Sequence, residues 1–291
     1  MIVRYQDPVV HYNIGHRRIA MRLSHELPLN RNVFPTYADN LTRIAAFIRG
    51  SWRRLSMIDV GSNVGDSYCL VNPQPADAFL LIEGNPHYYE LLVANTANEE
   101  SVVCVKALLA DTPTVSSHTL LTDRGTARLV IDKSSMEPTL TFTTLDTIVD
   151  AHTQFSSANL LKTDVDGFDT KVLCGAQRLI ATAKPVIFFE HDPSLLEANS
   201  QPIDQIFSTL ADLSYSEFIF YDNRGFLMGM IRVDDKSRLE DTISYARAQQ
   251  DCYYDVCCFS DAHARSRDEF LAREREFYAN LAQSAITSRI P

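Results

Sequence analysis

This sequence predicts an α/β fold with a doubly wound, mostly parallel sheet, and three observations carry that prediction. First, residues 57–66 read MIDVGSNVGD: an apolar pulse runs into a loop punctuated by Gly61 and Gly65 and then opens a helix. Second, from residue 55 onward short apolar runs alternate with amphipathic stretches, which calls for parallel strands joined by crossover helices. Third, two late strand patterns flank Asp222-Asn223-Arg224-Gly225, a hairpin signal that fits an antiparallel edge.

In chain order, residues 1–50 read as a helical extension. Residues 17–22 (RRIAMR) are weakly periodic, and prolines at 28 and 35 break the chain. Asn40 reads as the N-cap of a helix over 41–49 with Leu41, Ile44, Ala45 and Ile48 on one face. This extension is expected to cover the mouth of a substrate site, or else to serve as a packing arm or oligomer contact. Its His11, His16, His25 and Tyr37 are candidate acceptor contacts. Residues 51–291 form the main domain. Strands are expected at 55–60, 78–82 and 102–109, with helices opening at Asp66 and over 87–95. Residues 114–144 read as a β-rich insertion with strands at 118–122, 127–131 and 139–143, followed by a short helix at 145–151. A strand at 159–165, a single helix over 170–182, a fully apolar strand at 186–189 and a helix at 203–213 come next. The hairpin, a helix at 239–249, a final strand at 253–259 and a charged terminal helix at 265–285 complete the pattern.

Composition narrows the function classes. The chain has 291 residues, 45% of them hydrophobic, enough for a large core. It contains neither an apolar run of membrane-spanning length nor a signal peptide's apolar region, so the expected location is the cytoplasm. A net charge of -10 disfavours nucleic acid as a partner. The six cysteines include no C-x-x-C motif and read as buried free thiols.

The chemistry gathers at strand ends. In an open parallel sheet, the turn after the first strand lies at the carboxyl edge, where ligands bind. Here the glycines are spaced G-x-x-x-G, not the G-x-G-x-x-G of a dinucleotide site. The second strand ends in Glu83, about twenty residues after Gly61, where a ribose-binding acid belongs. A nucleoside cofactor without phosphates fits both facts, and S-adenosylmethionine is one. Two further strand ends carry Lys162, Asp164, Asp166 and Asp169, then Glu190, His191 and Asp192. Packed together these carboxylates repel and demand a cation, a proton or a hydrogen-bonding ligand. The alternative is local: Asp164 and Asp169 capping a helix, and Asp192-Pro193 starting one.

The blocks IDVGSNVGD (58–66), LIEGNP (81–86), TLDTIV (144–149), LLKTDVDGFDTKVLCGA (160–176), PVIFFEHDP (185–193) and YYDVCCF (253–259) together resemble the FkbM-type S-adenosylmethionine-dependent methyltransferases. The resemblance implies a class I methyltransferase (Rossmann-like) fold with a seven-stranded sheet. It also implies that Asp59, Gly61, Asn63 and Gly65 shape the cofactor loop and that Glu83 takes the ribose. Members of the family are usually O-methyltransferases of sugar or polyketide hydroxyls. The segment SHELPLNRNVFPTYADNL (24–41) is similar to members found with polysaccharide genes. Two blocks depart from the pattern: Asp166 and Asp169 stand where glutamates are usual, and Ile82-Glu83-Gly84-Asn85-Pro86 replaces Phe-Glu-Pro-Asn-Pro.

The reading is an O-methyltransferase acting on a sugar hydroxyl of a glycan or glycosylated metabolite, or alternatively on a polyketide or other small-molecule hydroxyl. Candidate cofactor residues are Asp59, Gly61, Asn63, Gly65, Asp66, Glu83, Asn85 and Lys162. Candidate catalytic residues are Asp164, Glu190 and His191. Either His191 removes the hydroxyl proton, or the same three residues bind Mg²⁺ or another divalent cation that polarises the acceptor. A nicotinamide-dependent oxidoreductase and a non-catalytic cofactor-binding protein are the rivals, and a homo-oligomer is compatible with the extension.

Overall fold

The structure is a computed structural model that describes residues 7–116, 118–123, 125–131, 140–249 and 252–287. The chain opens with a hairpin, β1 (Val9–Ile14) and β2 (Arg17–Arg22), followed by helices α1 (Leu27–Val33) and α2 (Asp39–Trp52). The alternating part runs β3 (Ser56–Val60), α3 (Asp66–Leu70), β4 (Ala78–Glu83), α4 (Pro86–Asn95) and β5 (Val102–Lys106). An insertion of short strands follows: β6 (Leu108–Leu109), β7 (Thr114–Ser116), β8 (His118–Asp123), β9 (Thr126–Ile131) and β10 (Leu140–Thr143). Then come α5 (Leu145–Ala151), β11 (Leu160–Thr163), α6 (Asp169–Cys174), α7 (Gln177–Ala183), β12 (Val186–His191), α8 (Pro193–Ala198) and α9 (Gln205–Asp212). The chain closes with β13 (Glu217–Asp222), β14 (Leu227–Arg232), α10 (Lys236–Ala248), β15 (Tyr254–Cys258) and α11 (Ala264–Thr287).

The central sheet has the order β14-β13-β15-β12-β11-β3-β4-β5. Strands β5 to β12 in that order are parallel, while β15 runs antiparallel to both of its neighbours. Counting from β5 to β13 gives the expected seven strands, and β14 adds an eighth as the antiparallel edge hairpin. The order reverses between β3 and β11, which sets the crevice at their carboxyl ends.

Alternation along each strand builds two cores. Ile58, Leu161, Ile187, Phe189, Val256 and Cys258 face α5, α6, α7, α9 and α10. Met57, Leu160, Phe188 and Cys257 face the other way, against α2, α3, α4 and α11. The same period of two therefore puts Asp59, Lys162, Glu190 and Asp255 on the α2 side of the sheet.

Several expected boundaries are corrected. The extension is helical only from residue 27, because 17–22 buries Ile19 and Met21 at strand spacing and pairs with 9–14. Asn40 is not an N-cap but lies inside α2, whose cap position is Ala38. The strand expected over 102–109 divides, and Leu108–Leu109 leaves the main sheet to pair with β10. The single helix over 170–182 is two helices, α6 and α7, with Gly175-Ala176 between them. Gly175 packs so tightly that a Cβ there would sit 2.2 Å from the Ala110 carbonyl oxygen. Residues 1–6 of the extension and residues 117, 124 and 132–139 of the insertion fall outside the described residues. Among the described residues no helix is long and apolar enough to cross a membrane.

Candidate active site

The site begins where β3 ends. Gly61 and Ser62 donate their N–H groups to the Ile82 carbonyl at 2.9 and 3.0 Å, pinning the loop to the end of β4. Gly61 has φ +78°, and a Cβ on it would lie 2.0 Å from the Asp164 carbonyl oxygen. Only glycine fits that crossing of two strand ends. The loop then reaches Glu83: the Asn63 N–H donates to Glu83 Oε2 at 2.8 Å and the Asn85 N–H to Oε1 at 2.6 Å. Glu83 is buried, and burial, against the pull of those two amides, pushes its carboxyl up to about 7. Each oxygen accepts one backbone bond and keeps a further lone pair, so the pair can still receive two hydroxyls.

Gly61, Asn63, Asp66, Glu83 and Asn85 line one cavity of about 770 Å³. Asn63 and Asn85 also have structural duties. The Asn63 side chain donates to the Gly125 carbonyl at 2.6 Å, tying the loop to the insertion. The Asn85 side chain caps α4 by accepting from the N–H groups of His87 and Tyr88. Gly65 is the left-handed residue preceding α3, at φ +88°. A glycine-lined approach beside a buried carboxylate is what the ribose of S-adenosylmethionine requires, so these residues fit that cofactor.

The opposite wall of the same cavity is acidic. Lys162 is buried between Asp59, at 3.0 Å, and Asp164, at 3.3 Å. Burial disfavours its charge, but the facing carboxylates outweigh that and raise its pKa, so it stays an ammonium. Lys162, Asp164, Asp166, Glu190, Asp192 and Asp255 all line the cavity. Asp59 does not; it is fully buried and acts by holding Lys162. Burial, then Asp164 and the other nearby carboxylates, raises Glu190 well above the ordinary range.

The structure does not bring His191 to this cluster, and that expectation is corrected. Its side chain faces the other core, edge-on to Phe207 with ring centroids 5.0 Å apart, and burial lowers it to about 3. Neighbours on a strand point to opposite faces, so Glu190 and His191 cannot share a site. The proposed cation site of Asp164, Glu190 and His191 fails for the same reason. Among the described residues no three His, Cys, Asp or Glu side chains are arranged to hold a metal ion. Asp169 is also structural: it is buried, accepts from the Thr163 hydroxyl at 2.6 Å, and is raised by burial to about 7. Asp192 caps α8 through the N–H groups of Ser194 and Leu195, the local role its Asp-Pro sequence suggested.

The extension contributes to the cavity wall. His25, Asn30, Phe34, Tyr37 and Asn40 line it, whereas His11 and His16 do not. Asn40 donates to Asp255 Oδ2 at 2.8 Å, and Tyr37 hydrogen-bonds Tyr253. Arg224, in the β13–β14 turn, lies over the Phe34 ring and accepts the Thr36 hydroxyl at its carbonyl. Sequence reading missed Asp255, Tyr253 and Arg224 as site residues. The available signal was Asp255 itself, a lone acid in the apolar run YYDVCCF, since a buried carboxylate needs a reason.

A family model, the Methyltransferase FkbM domain, matches residues 59–217. No curated protein matches the chain. Among solved structures, the methyltransferase FkbM from Methylobacillus flagellatus KT aligns at 15% identity and TM-score 0.39, over 56% of this chain and 39% of that one. The alignment thus spans less than half of that relative's length. Precorrin-6y C5,15-methyltransferase from Geobacter metallireducens GS-15 aligns at 12% identity and TM-score 0.37, covering 75% of this chain and 88% of that one. P. horikoshii TYW2 in complex with MeSAdo aligns at 9% identity and TM-score 0.42, covering 87% and 72%.

Proposed function

Since the chain belongs to the FkbM family of class I, S-adenosylmethionine-dependent methyltransferases, we propose that it methylates a hydroxyl group, with a sugar of a glycan or glycosylated metabolite as acceptor. The observation that carries this reading is one cavity with two chemically different ends: a glycine loop leading to Glu83, and an acidic wall under the N-terminal extension. Glu83 would take the ribose hydroxyls, with Gly61 and Asn63 lining the approach and Asp66 at the start of α3. When bound, S-adenosylmethionine supplies an electrophilic methyl group on a sulfonium.

The chain's own part is to orient the acceptor and remove its proton. Alignment of two bound reactants can supply much of the acceleration. A sugar hydroxyl is a weak acid, and the acidic wall around Glu190, where burial and Asp164 raise the affinity for a proton, suits the role of general base. Asp164, held by Lys162 at 3.3 Å, lines the cavity with its side chain half exposed and suits hydrogen bonding to an adjacent acceptor hydroxyl. The polar lining supports a polyhydroxyl acceptor over an apolar polyketide. A cytoplasmic setting is part of the reading and suits the six cysteines, all free.

Calorimetry with S-adenosylmethionine and with its demethylated product tests the cofactor end. Glu83→Ala should weaken both by roughly ten- to a hundredfold, the loss expected for hydrogen bonds to a charged group. Unchanged affinity removes Glu83 from the site. Release of S-adenosylhomocysteine in the presence of alkyl glycosides, compared with aliphatic alcohols, tests the acceptor end.

A further inference from the structure

Glu190 and Asp255 are direct cross-strand partners in the antiparallel β12–β15 pair. Both line the cavity, and both project on the α2 side of the sheet. Side chains so opposed have Cβ atoms roughly 5 Å apart, and two charges there are destabilising. Lys162, the nearby cation, is paired with Asp59 and Asp164. Instead Asp255 accepts a hydrogen bond at 2.8 Å from Asn40, a fully buried amide delivered by the extension.

We propose that Glu190 and Asp255 act as one proton-sharing carboxyl pair, with Asn40 as its positioning residue, and that this pair receives the proton of the acceptor hydroxyl. The proposal rests on the hydroxyl-methylating reading above. Cross-strand carboxyls that turn toward one another on one cavity wall hold one proton between them, because the second ionisation must overcome the charge of the first. The donor amide of Asn40 favours the anion on Asp255 and so leaves the shared proton with Glu190. Both groups lie above the ordinary carboxylate range: burial raises Asp255 to about 7, and burial with the surrounding carboxylates raises Glu190.

The surroundings agree. Facing the pair are Asp164, Asp166 and Lys162 from the end of β11, Asp169 from α6, Asp192 from the cap of α8 and Asp222 from β13. Tyr37 and Tyr253, hydrogen-bonded to each other, also lie near both carboxyls. Asp164 is set apart from the pair, with its side chain 51% exposed and paired with Lys162. In the step itself, the acceptor oxygen forms a bond to the methyl carbon as the carbon–sulfur bond breaks, and that electron pair stays on sulfur. The hydroxyl proton passes to the pair, whose charge goes from minus one to zero, and then leaves to water past the exposed Asp164.

The test uses the full, ligand-free chain with ¹³C-labelled carboxyls, titrated by NMR. In the wild type Glu190 should titrate well above the ordinary range. In Asp255→Asn its midpoint should fall by about one pH unit or more, as the partner charge is removed. In Asn40→Ala the midpoint of Asp255 should rise while that of Glu190 falls, an opposed pair of shifts that a merely structural role would not produce. An unchanged Glu190 midpoint in Asp255→Asn overturns the pair. Calorimetry separates this from the underlying reading: wild-type protein that does not bind S-adenosylmethionine overturns the methyltransferase reading, whatever the pair's titration.

Discussion

At the scale of single residues, the division of labour along β12 is decided by strand alternation. Glu190 faces the cavity and His191 the opposite core, so adjacent residues have unrelated roles. His191→Ala should therefore leave turnover within a few-fold of wild type. It should lower stability by about 1–3 kcal/mol, through lost packing against Phe207. A chemical-denaturation curve and a turnover assay on the same preparation check this; loss of turnover in a fully folded variant returns His191 to the reaction. The same reasoning bears on the cation. With His191 on the far face and no other group arranged to hold a metal ion among the described residues, exhaustive chelation should leave methyl transfer unchanged. A loss restored by Mg²⁺ would contradict that.

At the scale of elements, the connection after β11 is set by close packing. The chain passes through α6, breaks at Gly175-Ala176 and resumes as α7. Leu179 and Ile180 still reach the core from the second helix, as helical periodicity over 170–182 required. At the break, the backbone of the insertion at Ala110 packs against Gly175. Gly175→Ala should therefore cost stability even though alanine favours helix: a Cβ at 2.2 Å from a carbonyl oxygen forces the backbone apart. We expect a loss of about 1–3 kcal/mol in urea denaturation. A stabilised variant would mean that the contact relaxes freely.

At the scale of the whole molecule, the buried carboxyls make stability depend on pH. Burial holds Asp169 at about 7, against an ordinary value of 3.8. Between those values the folded chain keeps a proton that the unfolded chain has released. Stability is thus full below the lower value and falls as pH rises through the higher one, by about 1.4 kcal/mol per pH unit per such group. Glu83 and Asp255, each also near 7, act in the same direction. Denaturation midpoints should fall as pH rises from about 4 to about 7. Asp169→Asn should flatten the slope by one group's share, and an unchanged slope would show that Asp169 ionises normally.

Local sequence alone determined the alternating architecture, the glycine loop after β3 and the acid at the end of β4, because each is written in contiguous residues. Apolar periodicity marks strands and helices, and glycine spacing marks a turn whatever surrounds it. Family membership was legible in the same way, as blocks in a characteristic order. The rest depended on partners distant in the chain. Residues 17–22 became a strand because residues 9–14 pair with them, a competition that local periodicity does not record. Asn40, read locally as a helix cap, found Asp255 through the packing of α2 over the sheet. Asp255 joined Glu190 only because β15 inserts antiparallel beside β12, in one register out of many. Which face a strand-end residue serves, and what meets it there, is settled by pairing and packing across the sheet, so those facts belong to the tertiary structure.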